Sequence, residues 1–313
     1  MSKERNDTGM NGYLPEGELI GTVENTALLG SWSALEETRN RGITAEALCT
    51  LCDSGHNLIA DLGFIKGVIP RNEGALGIEE GITRDIALIS RVNKPICFKV
   101  LELRQSEGIA VLSRRAAQAE CKSRYLSALR CGDVIPARVT HMEQFGAFVD
   151  IGCGLPSLIP IDMISVSRIS HPSDRFTVGQ RIRAVVRSLE EGKITLSHKE
   201  LLGTWEENAA RYTVGETVTG IVRSVEPYGI FVELTPNLAG LAELKEGVRP
   251  GDTVSVYIKA MIPEKMKIKL IIVDSFRAAE QKAGSFEYVF CGERMERWRY
   301  SVEGCEKVIE TVF

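Results

Sequence analysis

Residues 144–151 read Gln-Phe-Gly-Ala-Phe-Val-Asp-Ile, and residues 227–234 read Pro-Tyr-Gly-Ile-Phe-Val-Glu-Leu. The two stretches lie 83 residues apart, and Gly132 and Gly215 upstream of them keep the same offset. A fixed offset with the aromatic residues in register indicates a duplicated module. The repeated feature is a pair of aromatic residues on a strand, not an acid, a base or a nucleophile. It therefore favours a binding surface that is used more than once.

Size and composition are those of an ordinary globular protein. The 313 residues, 44% of them hydrophobic and 26% charged, are enough for two or three domains with their own cores. No apolar run approaches bilayer-spanning length, and residues 1–12 lack the apolar segment of a secretory signal, so we expect a cytoplasmic protein. The net charge of −4 argues against tight duplex binding but is compatible with single-strand binding through base stacking.

Cysteine and histidine positions predict no metal site, no cofactor and no catalysis. Cys49 and Cys52 form the one C-x-x-C among eight cysteines, and no second pair follows at zinc-ribbon spacing. Residues three apart on a strand also face opposite sides, so we interpret both as reduced core thiols. His141, His171 and His198 are each isolated in sequence from a nucleophile. We therefore do not expect an enzyme.

Short predicted strands separated by glycine turns recur in units of about 60 to 70 residues, which favours small closed barrels. Ser33 and Glu36 form a capping box that predicts a helix ending near Asn40, and a C-terminal helix is expected from Cys305. The predicted order is an N-terminal extension with a short helix (1–42), a diverged barrel (43–115), a helical linker (116–130), a second barrel (131–198), a second helical linker (199–213), a third barrel (214–274) and a C-terminal extension (275–313).

The repeated aromatic pair has an unusual spacing. Phe145 and Phe148 are three residues apart, so a regular strand would turn them to opposite sides. Gly146 between them permits a β-bulge that would bring both rings to one face, and Tyr228 and Phe231 repeat the arrangement. Rings on one face would stack on bases, at roughly 1–3 kcal/mol per base. In the alternative, Phe148 and Phe231 are core residues and only the other two rings reach the surface.

Several cations near the repeats are candidates for phosphate contacts. Lys193 and Lys267 occupy matching positions in the last strand of their copies, and Arg187 lies on the strand before. Lys265 and Lys269 alternate with Lys267, so the three are expected on one face. Lysines that protect an edge strand are the alternative interpretation.

These residues resemble a known family. The Phe-Gly-Ala-Phe-Val-Asp-Ile-Gly stretch (145–152), followed by Val-Gly-Gln-x-Ile (178–182) and Gly-Lys-Ile-x-Leu-Ser (192–197), is similar to the S1 RNA-binding domain. Residues 159–163 and 168–174 resemble the tandem repeats of bacterial ribosomal protein S1. The resemblance implies an all-β chain of three tandem five-stranded antiparallel OB-fold barrels joined by short helices, with a small C-terminal β/α extension.

The resemblance also implies an RNA-binding face, which in the family is lined by both aromatic residues and a basic residue on strand five. Pro160 and Glu243 stand where the family often has histidine, and residues 56–59 of the first copy replace the aromatic pair. Aromatic-poor copies of this kind tend to contact protein in the family. With Arg187 added from its position, the predicted RNA-binding residues are Phe145, Phe148, Arg187, Lys193, Tyr228, Phe231 and Lys267.

The expected function is binding of single-stranded mRNA, to assist its capture in translation, with no membrane involved. We expect the small ribosomal subunit as a partner, contacted through residues 43–115. Two alternatives stay open: a stand-alone RNA-binding factor in transcription or RNA turnover, and a protein-interaction adaptor of the ribosome.

Overall fold

Three closed barrels of five strands follow one another along the chain. The structure is a computed structural model that describes residues 13–190, 192–277 and 286–313. The predicted all-β class with three tandem barrels is confirmed. Residues 1–12, for which we predicted no secretory signal, and part of the predicted C-terminal extension thus lie outside the described residues.

All three barrels share one topology, in which the first strand pairs with the second and fourth, and the fifth lies between the third and fourth. Pairing is antiparallel except between the third and fifth strands, which run parallel, as at Leu241 and Lys269. The first barrel contains β1 (Ala45–Cys52), β2 (Leu58–Asp61), β3 (Lys66–Ile69), β4 (Pro95–Arg104) and β5 (Ile109–Ser113). The second contains β6 (Val134–Glu143), β7 (Gly146–Asp150), β8 (Pro156–Pro160), β9 (Arg181–Glu190) and β10 (Lys193–Ser197). The third contains β11 (Thr217–Glu226), β12 (Gly229–Thr235), β13 (Leu238–Ala242), β14 (Thr253–Ile262) and β15 (Lys267–Phe276).

The helices are short, and their caps explain where they begin. The second helix begins after Ser31, whose Oγ accepts a hydrogen bond from the Ala34 N–H at 3.1 Å, so the predicted cap at Ser33 is wrong. The fifth has the capping box of Thr204 and Glu207, whose backbone N–H groups donate to each other's side chains. None of the helices in the described ranges has the length and hydrophobicity needed to span a bilayer. The helices are α1 (Val23–Leu29), α2 (Trp32–Asn40), α3 (Ile86–Ile89), α4 (Arg114–Glu120) and α5 (Trp205–Ala209).

The chain divides into two compact units. Within the described residues, the first unit comprises 13–129 and 150–156, and the second comprises the rest of the chain from 130 onward. The first unit has a buried charge cluster in which Arg114 contacts both carboxylate oxygens of Glu16, at 2.6 and 3.0 Å. Burial and the nearby Glu16 carboxylate raise the pKa of Asp150, in the same unit, to about 7. The domain limits given above stay predictions.

Within the second unit, buried ions connect the second barrel to the third. Arg175, which follows a 3-10 turn of the second barrel, contacts Glu233 on β12, and both side chains are only 4% exposed. The Arg223 Nε lies 2.8 Å from a Glu233 carboxylate oxygen, and an Arg223 Nη lies 3.6 Å from Asp174. The His-Pro-Ser-Asp stretch (171–174) therefore contributes to a junction between barrels.

The described part of the C-terminal extension packs on both barrels of the second unit. Its two short strands, β16 (Arg297–Arg299) and β17 (Glu310–Val312), pair antiparallel. The helix predicted from Cys305 is wrong: the preceding Gly304 has φ +80°, and the chain turns there so that β17 pairs with β16. Trp298 joins the core of the third barrel, whereas Phe313 packs against buried residues of the second.

His198 is fully buried where the second barrel meets this extension. Its ring centroid lies 5.1 Å from that of Phe176 and 4.5 Å from that of Phe286. Its Nδ1 is 3.1 Å from the Ile164 carbonyl oxygen, and its Nε2 is 3.3 Å from the Tyr288 hydroxyl. Burial lowers the pKa of His198 to about 4, from an ordinary value of 6.5, because the charged imidazolium loses its hydration there.

We predict that the second unit loses stability as the pH falls from about 6.5 to about 4. Between these pH values the unfolded chain binds a proton at His198 and the folded chain does not. The stability that the neutral, buried His198 contributes is therefore fully present above pH 6.5 and is lost by pH 4. The two pKa values correspond to a loss of roughly 3 kcal/mol in the free energy of unfolding. Urea unfolding in a Trp32→Phe background, followed by the fluorescence of Trp205 and Trp298, measures it.

The variant His198→Asn isolates this effect from the carboxylates that titrate in the same range. It should flatten the pH dependence of the free energy of unfolding between pH 6.5 and pH 4. Equal slopes for the parent and His198→Asn would contradict the assignment.

Candidate nucleic-acid interface

One aromatic residue of each repeated pair sits in a hairpin turn. Phe145 lies in the turn between β6 and β7, and Tyr228 lies in the turn between β11 and β12. Their exposed fractions are 57% and 68%. The backbone carbonyl of Phe145 accepts a hydrogen bond from the Ile161 N–H at 2.9 Å, which ties the turn to the end of β8. The turns therefore project the two rings into solvent from fixed backbone positions.

The second aromatic residue of each pair lies on the following strand and meets the first ring edge to face. The ring centroids of Phe145 and Phe148 are 5.9 Å apart with planes at 87°, and those of Tyr228 and Phe231 are 6.1 Å apart at 88°. Phe148 and Phe231 are half-buried and are not core residues. The same T-shaped pair, a geometry that aromatic rings favour, thus occurs on both barrels.

The glycines inside the pairs allow close approach of a neighbouring backbone, and in the third barrel the predicted bulge does not form at the glycine. A Cβ on Gly146 would lie 2.5 Å from the Ile159 carbonyl oxygen, and one on Gly229 would lie 2.6 Å from that of Ala242. Gly229 also has φ +150°, which side chains rarely adopt. In the third barrel the register shift lies on β11, opposite Phe231, and not at Gly229. The pairs share a face because their first member lies in the turn before the strand.

Lysines flank these rings on the outer face of the sheets. Lys193 and Lys267 are exposed and begin β10 and β15. In the third barrel Phe231 pairs with Leu241, and Leu241 pairs with Lys269, which is also exposed. Cross-strand neighbours share a face of the sheet, so Phe231, Leu241 and Lys269 lie in one row on the same face. Lys265 lies in a 3-10 turn outside this strand, so the predicted alternation of three lysines holds only for two.

Arg187 has a partner other than the ring pair. Its guanidinium carbon lies 6.0 Å from the centroid of the Phe313 ring, and its Nη1 lies 3.5 Å from the Val312 carbonyl oxygen. Arg183 on the same strand donates to the carbonyl oxygens of Phe290 and Gly292, at 2.9 and 2.6 Å. Both arginines therefore hold the C-terminal extension against the second barrel.

His141 is a residue of this surface that the sequence analysis did not identify. It lies on β6, next to β7, and its ring centroid is 6.1 Å from that of Phe148, with planes 23° apart. The sequence signal was its position on the strand that precedes the ring-bearing turn.

At the matching turn the first barrel has His56 in place of the aromatic pair; its side chain is 35% exposed, and its Nδ1 lies 3.9 Å from an Asp85 carboxylate oxygen. In residues 53–57 the Asp53 carboxylate accepts hydrogen bonds from the backbone N–H groups of Gly55 and Asn57 at 2.9 and 2.8 Å. Arg71 pairs with Asp85 at 2.7 Å, whereas Lys66 is exposed. Cations are thus present on this barrel, but the pair of aromatic residues that the other two barrels share is absent from this turn.

The comparisons with known proteins point to one family of proteins. The model of the family described as S1 RNA binding domain matches residues 129–199. The small ribosomal subunit protein bS1 of Staphylococcus haemolyticus is 30% identical over 287 residues, which cover 86% of this chain and 69% of that protein. The bS1 protein of Leuconostoc lactis is 30% identical over 243 residues, which cover 72% of this chain and 54% of that protein. The chain thus spans between about half and two thirds of the length of these relatives.

Among solved structures, the solution structure of GSP13 from Bacillus subtilis is 27% identical to this chain. The match covers 22% of this chain and 55% of that protein, with a TM-score of 0.21.

The substitutions Gly146→Ala and Gly229→Ala should each lower the free energy of unfolding of the second unit by about 1–3 kcal/mol, because the added methyl group meets a backbone carbonyl oxygen that has no room to move. Urea denaturation measures the change. Gly30→Ala is the matched control, since its Cβ meets nothing closer than 3.4 Å and the backbone there is right-handed helical. Unchanged stability in both test variants would mean that close approach does not require these glycines.

Proposed function

Because the chain belongs to the family of the small ribosomal subunit protein bS1, we propose that it binds single-stranded RNA in translation through the ring pairs of its second and third barrels. The observation that carries the proposal is the repeated T-shaped pair, with one ring of each pair more than half exposed. Every base has a π-face, so exposed rings bind unpaired nucleotides with little sequence preference. The proposed function involves no catalytic step. A role in translation implies that the protein is located in the cytoplasm.

Single strands fit this surface better than duplexes do. A duplex keeps its bases stacked on one another, so rings on a protein surface gain nothing from them. Duplex binding then depends on the neutralisation of phosphates by cationic side chains. A chain with a net charge of −4 is poorly suited to this, because its acidic residues outnumber its basic ones. The exposed lysines beside the rings, Lys193, Lys267 and Lys269, supply only a small number of phosphate contacts.

The two ring pairs act together because their barrels belong to one unit. Contacts through Glu233 and the C-terminal extension hold the second barrel against the third. Once one pair has captured a strand, the other meets the same strand at a high effective concentration. Affinity therefore exceeds that of either pair alone.

Removing the exposed rings tests the proposal. The double variant Phe145→Ala with Tyr228→Ala should weaken binding of a single-stranded oligonucleotide by about 2–6 kcal/mol, from two lost stacking platforms, without loss of the fold. Fluorescence anisotropy measures the affinity. Phe64→Ala is the control, because Phe64 is 44% exposed and forms a T-shaped pair with Trp32 in the first unit. A folded double variant that binds as tightly as the parent would refute the proposal, as would an equal loss in the control.

The salt dependence of RNA binding tests our expectation that phosphate contacts contribute only a small share of the binding free energy. The slope of log K against log salt for single strands should be on the order of −2 to −4, because each neutralised phosphate contributes about −0.7. Titrations between about 50 and 200 mM salt measure it. A slope steeper than about −7 would indicate a large basic surface in place of stacking.

For the first barrel we propose a protein contact on the small ribosomal subunit. Ile86 and Ile89 on α3 are 66% and 44% exposed, and residues three apart share one face of a helix. Exposed apolar side chains so placed are suited to a protein partner. This observation also favours the second candidate function, a protein-interaction adaptor of the ribosome.

Co-sedimentation with small ribosomal subunits tests the contact. Ile86→Asp with Ile89→Asp should release the protein from the subunit and leave its affinity for free RNA unchanged, because the rings lie in the other unit. Val178→Asp, at a 63% exposed position of the second unit, is the control. Release in the ring variant but not in the α3 variant would mean that RNA alone makes the attachment.

A further inference from the structure

His141 extends the aromatic surface of the second barrel. Its ring is nearly parallel to that of Phe148, so planar bases can stack on both in a similar orientation. The side chain is 63% exposed, and its Nε2 lies 2.6 Å from a carboxylate oxygen of Glu143, which restrains one edge of the ring. The second barrel therefore presents three neighbouring rings: Phe145, Phe148 and His141.

The third barrel has a different set of groups at the corresponding places. Ser224 stands 83 residues after His141 and pairs across the strands with Phe231, so a hydroxyl replaces the imidazole. In the row that follows, Leu241 pairs with Lys269, whereas Leu158 of the second barrel pairs with Thr195. The second barrel thus has an additional ring at the first of these places, and the third barrel has an additional ammonium group at the second.

These two groups bind nucleic acid in physically different ways. A ring stacks on a base and displaces no counterions, so its contribution changes little with salt. An ammonium group neutralises a phosphate, and the released counterion makes its contribution fall as salt rises. The two barrels should then differ in how their share of the affinity depends on ionic strength.

We propose that His141 is a third base-stacking residue of the second barrel, which holds RNA mainly by stacking, whereas the third barrel combines two rings with a phosphate contact from Lys269. This inference rests on the proposed function. It adds a division of labour between the two ring-bearing sites.

The test uses the full chain, a fluorescently labelled 12-nucleotide oligo(U), and anisotropy titrations at several salt concentrations. His141→Ser, which installs the residue of the third barrel, should weaken binding by on the order of tenfold at every salt concentration, with the salt slope unchanged. His141→Phe keeps a ring and should retain the affinity of the parent. Lys269→Thr, which installs the residue of the second barrel, should make the slope shallower by about 0.7. The reciprocal variant Ser224→His should strengthen binding.

Four results would overturn the inference: unchanged affinity in His141→Ser, a shallower salt slope in His141→Ser, equal weakening in His141→Phe, or an unchanged slope in Lys269→Thr. The Phe145→Ala with Tyr228→Ala variant separates this failure from that of the proposed function. If that variant loses binding while His141→Ser does not, only the inference fails. If the parent chain itself does not bind the oligonucleotide, both fail. Circular dichroism and thermal melting of each variant establish that the barrels remain folded.

Discussion

The carboxylate of Glu233 lies against two guanidinium groups, that of Arg175 from the second barrel and that of Arg223 from its own barrel. Two of these side chains are only 4% exposed, so the charges are held away from water and each needs its partners. Removing one member would leave an uncompensated buried charge, at a typical cost of about 3–5 kcal/mol. Such a cluster is sensitive to geometry, and it therefore specifies how the third barrel is placed on the second.

The placement of the two barrels matters because either ring pair alone would bind RNA only weakly. A pair stacks on one or two bases, and a few kcal/mol of stacking gives only weak binding. In the proposed function, two pairs on barrels joined by buried ions and by the C-terminal extension act on the same RNA strand. The Tyr300 hydroxyl donates to the Asn237 carbonyl oxygen at 2.6 Å in the third barrel, while Arg183 holds the extension to the second. A segment outside the barrels thus contacts both of them and helps to hold them together.

The parts of this fold that could be predicted from the sequence are those with local signals. The glycine turns and the ring pairs depend on residues that are close together in the chain, and their recurrence indicated repeated small barrels; the fixed offset of 83 residues matched two of the copies. The placement of Arg187 against Phe313 could not be predicted, because it joins residues more than 100 positions apart. The helix predicted from Cys305 failed because pairing with β16 overrides the local preference of the last residues.

The candidate site shows the same division. The sequence predicted a bulge at the glycine of each aromatic pair, whereas in the third barrel the register shift lies on β11; the close approach of a carbonyl oxygen to each glycine is a tertiary contact that the sequence does not reveal. His141 was missed because its significance comes from the register of β6 beside Phe148, and not from its neighbours in sequence. The sequence indicated the chemical type of each side chain, whereas the structure was needed to identify the groups that each side chain contacts.

The central claim is that RNA lies on the ring pairs of the second unit. Photo-cross-linking of the full chain to a single-stranded oligo(U) that carries 4-thiouridine, followed by mass spectrometry of the cross-linked peptides, tests it most directly. The account predicts cross-links within residues 141–148 and 224–231, lost together when unlabelled oligo(U) competes. Cross-links confined to residues 43–115 or 286–313 would contradict it.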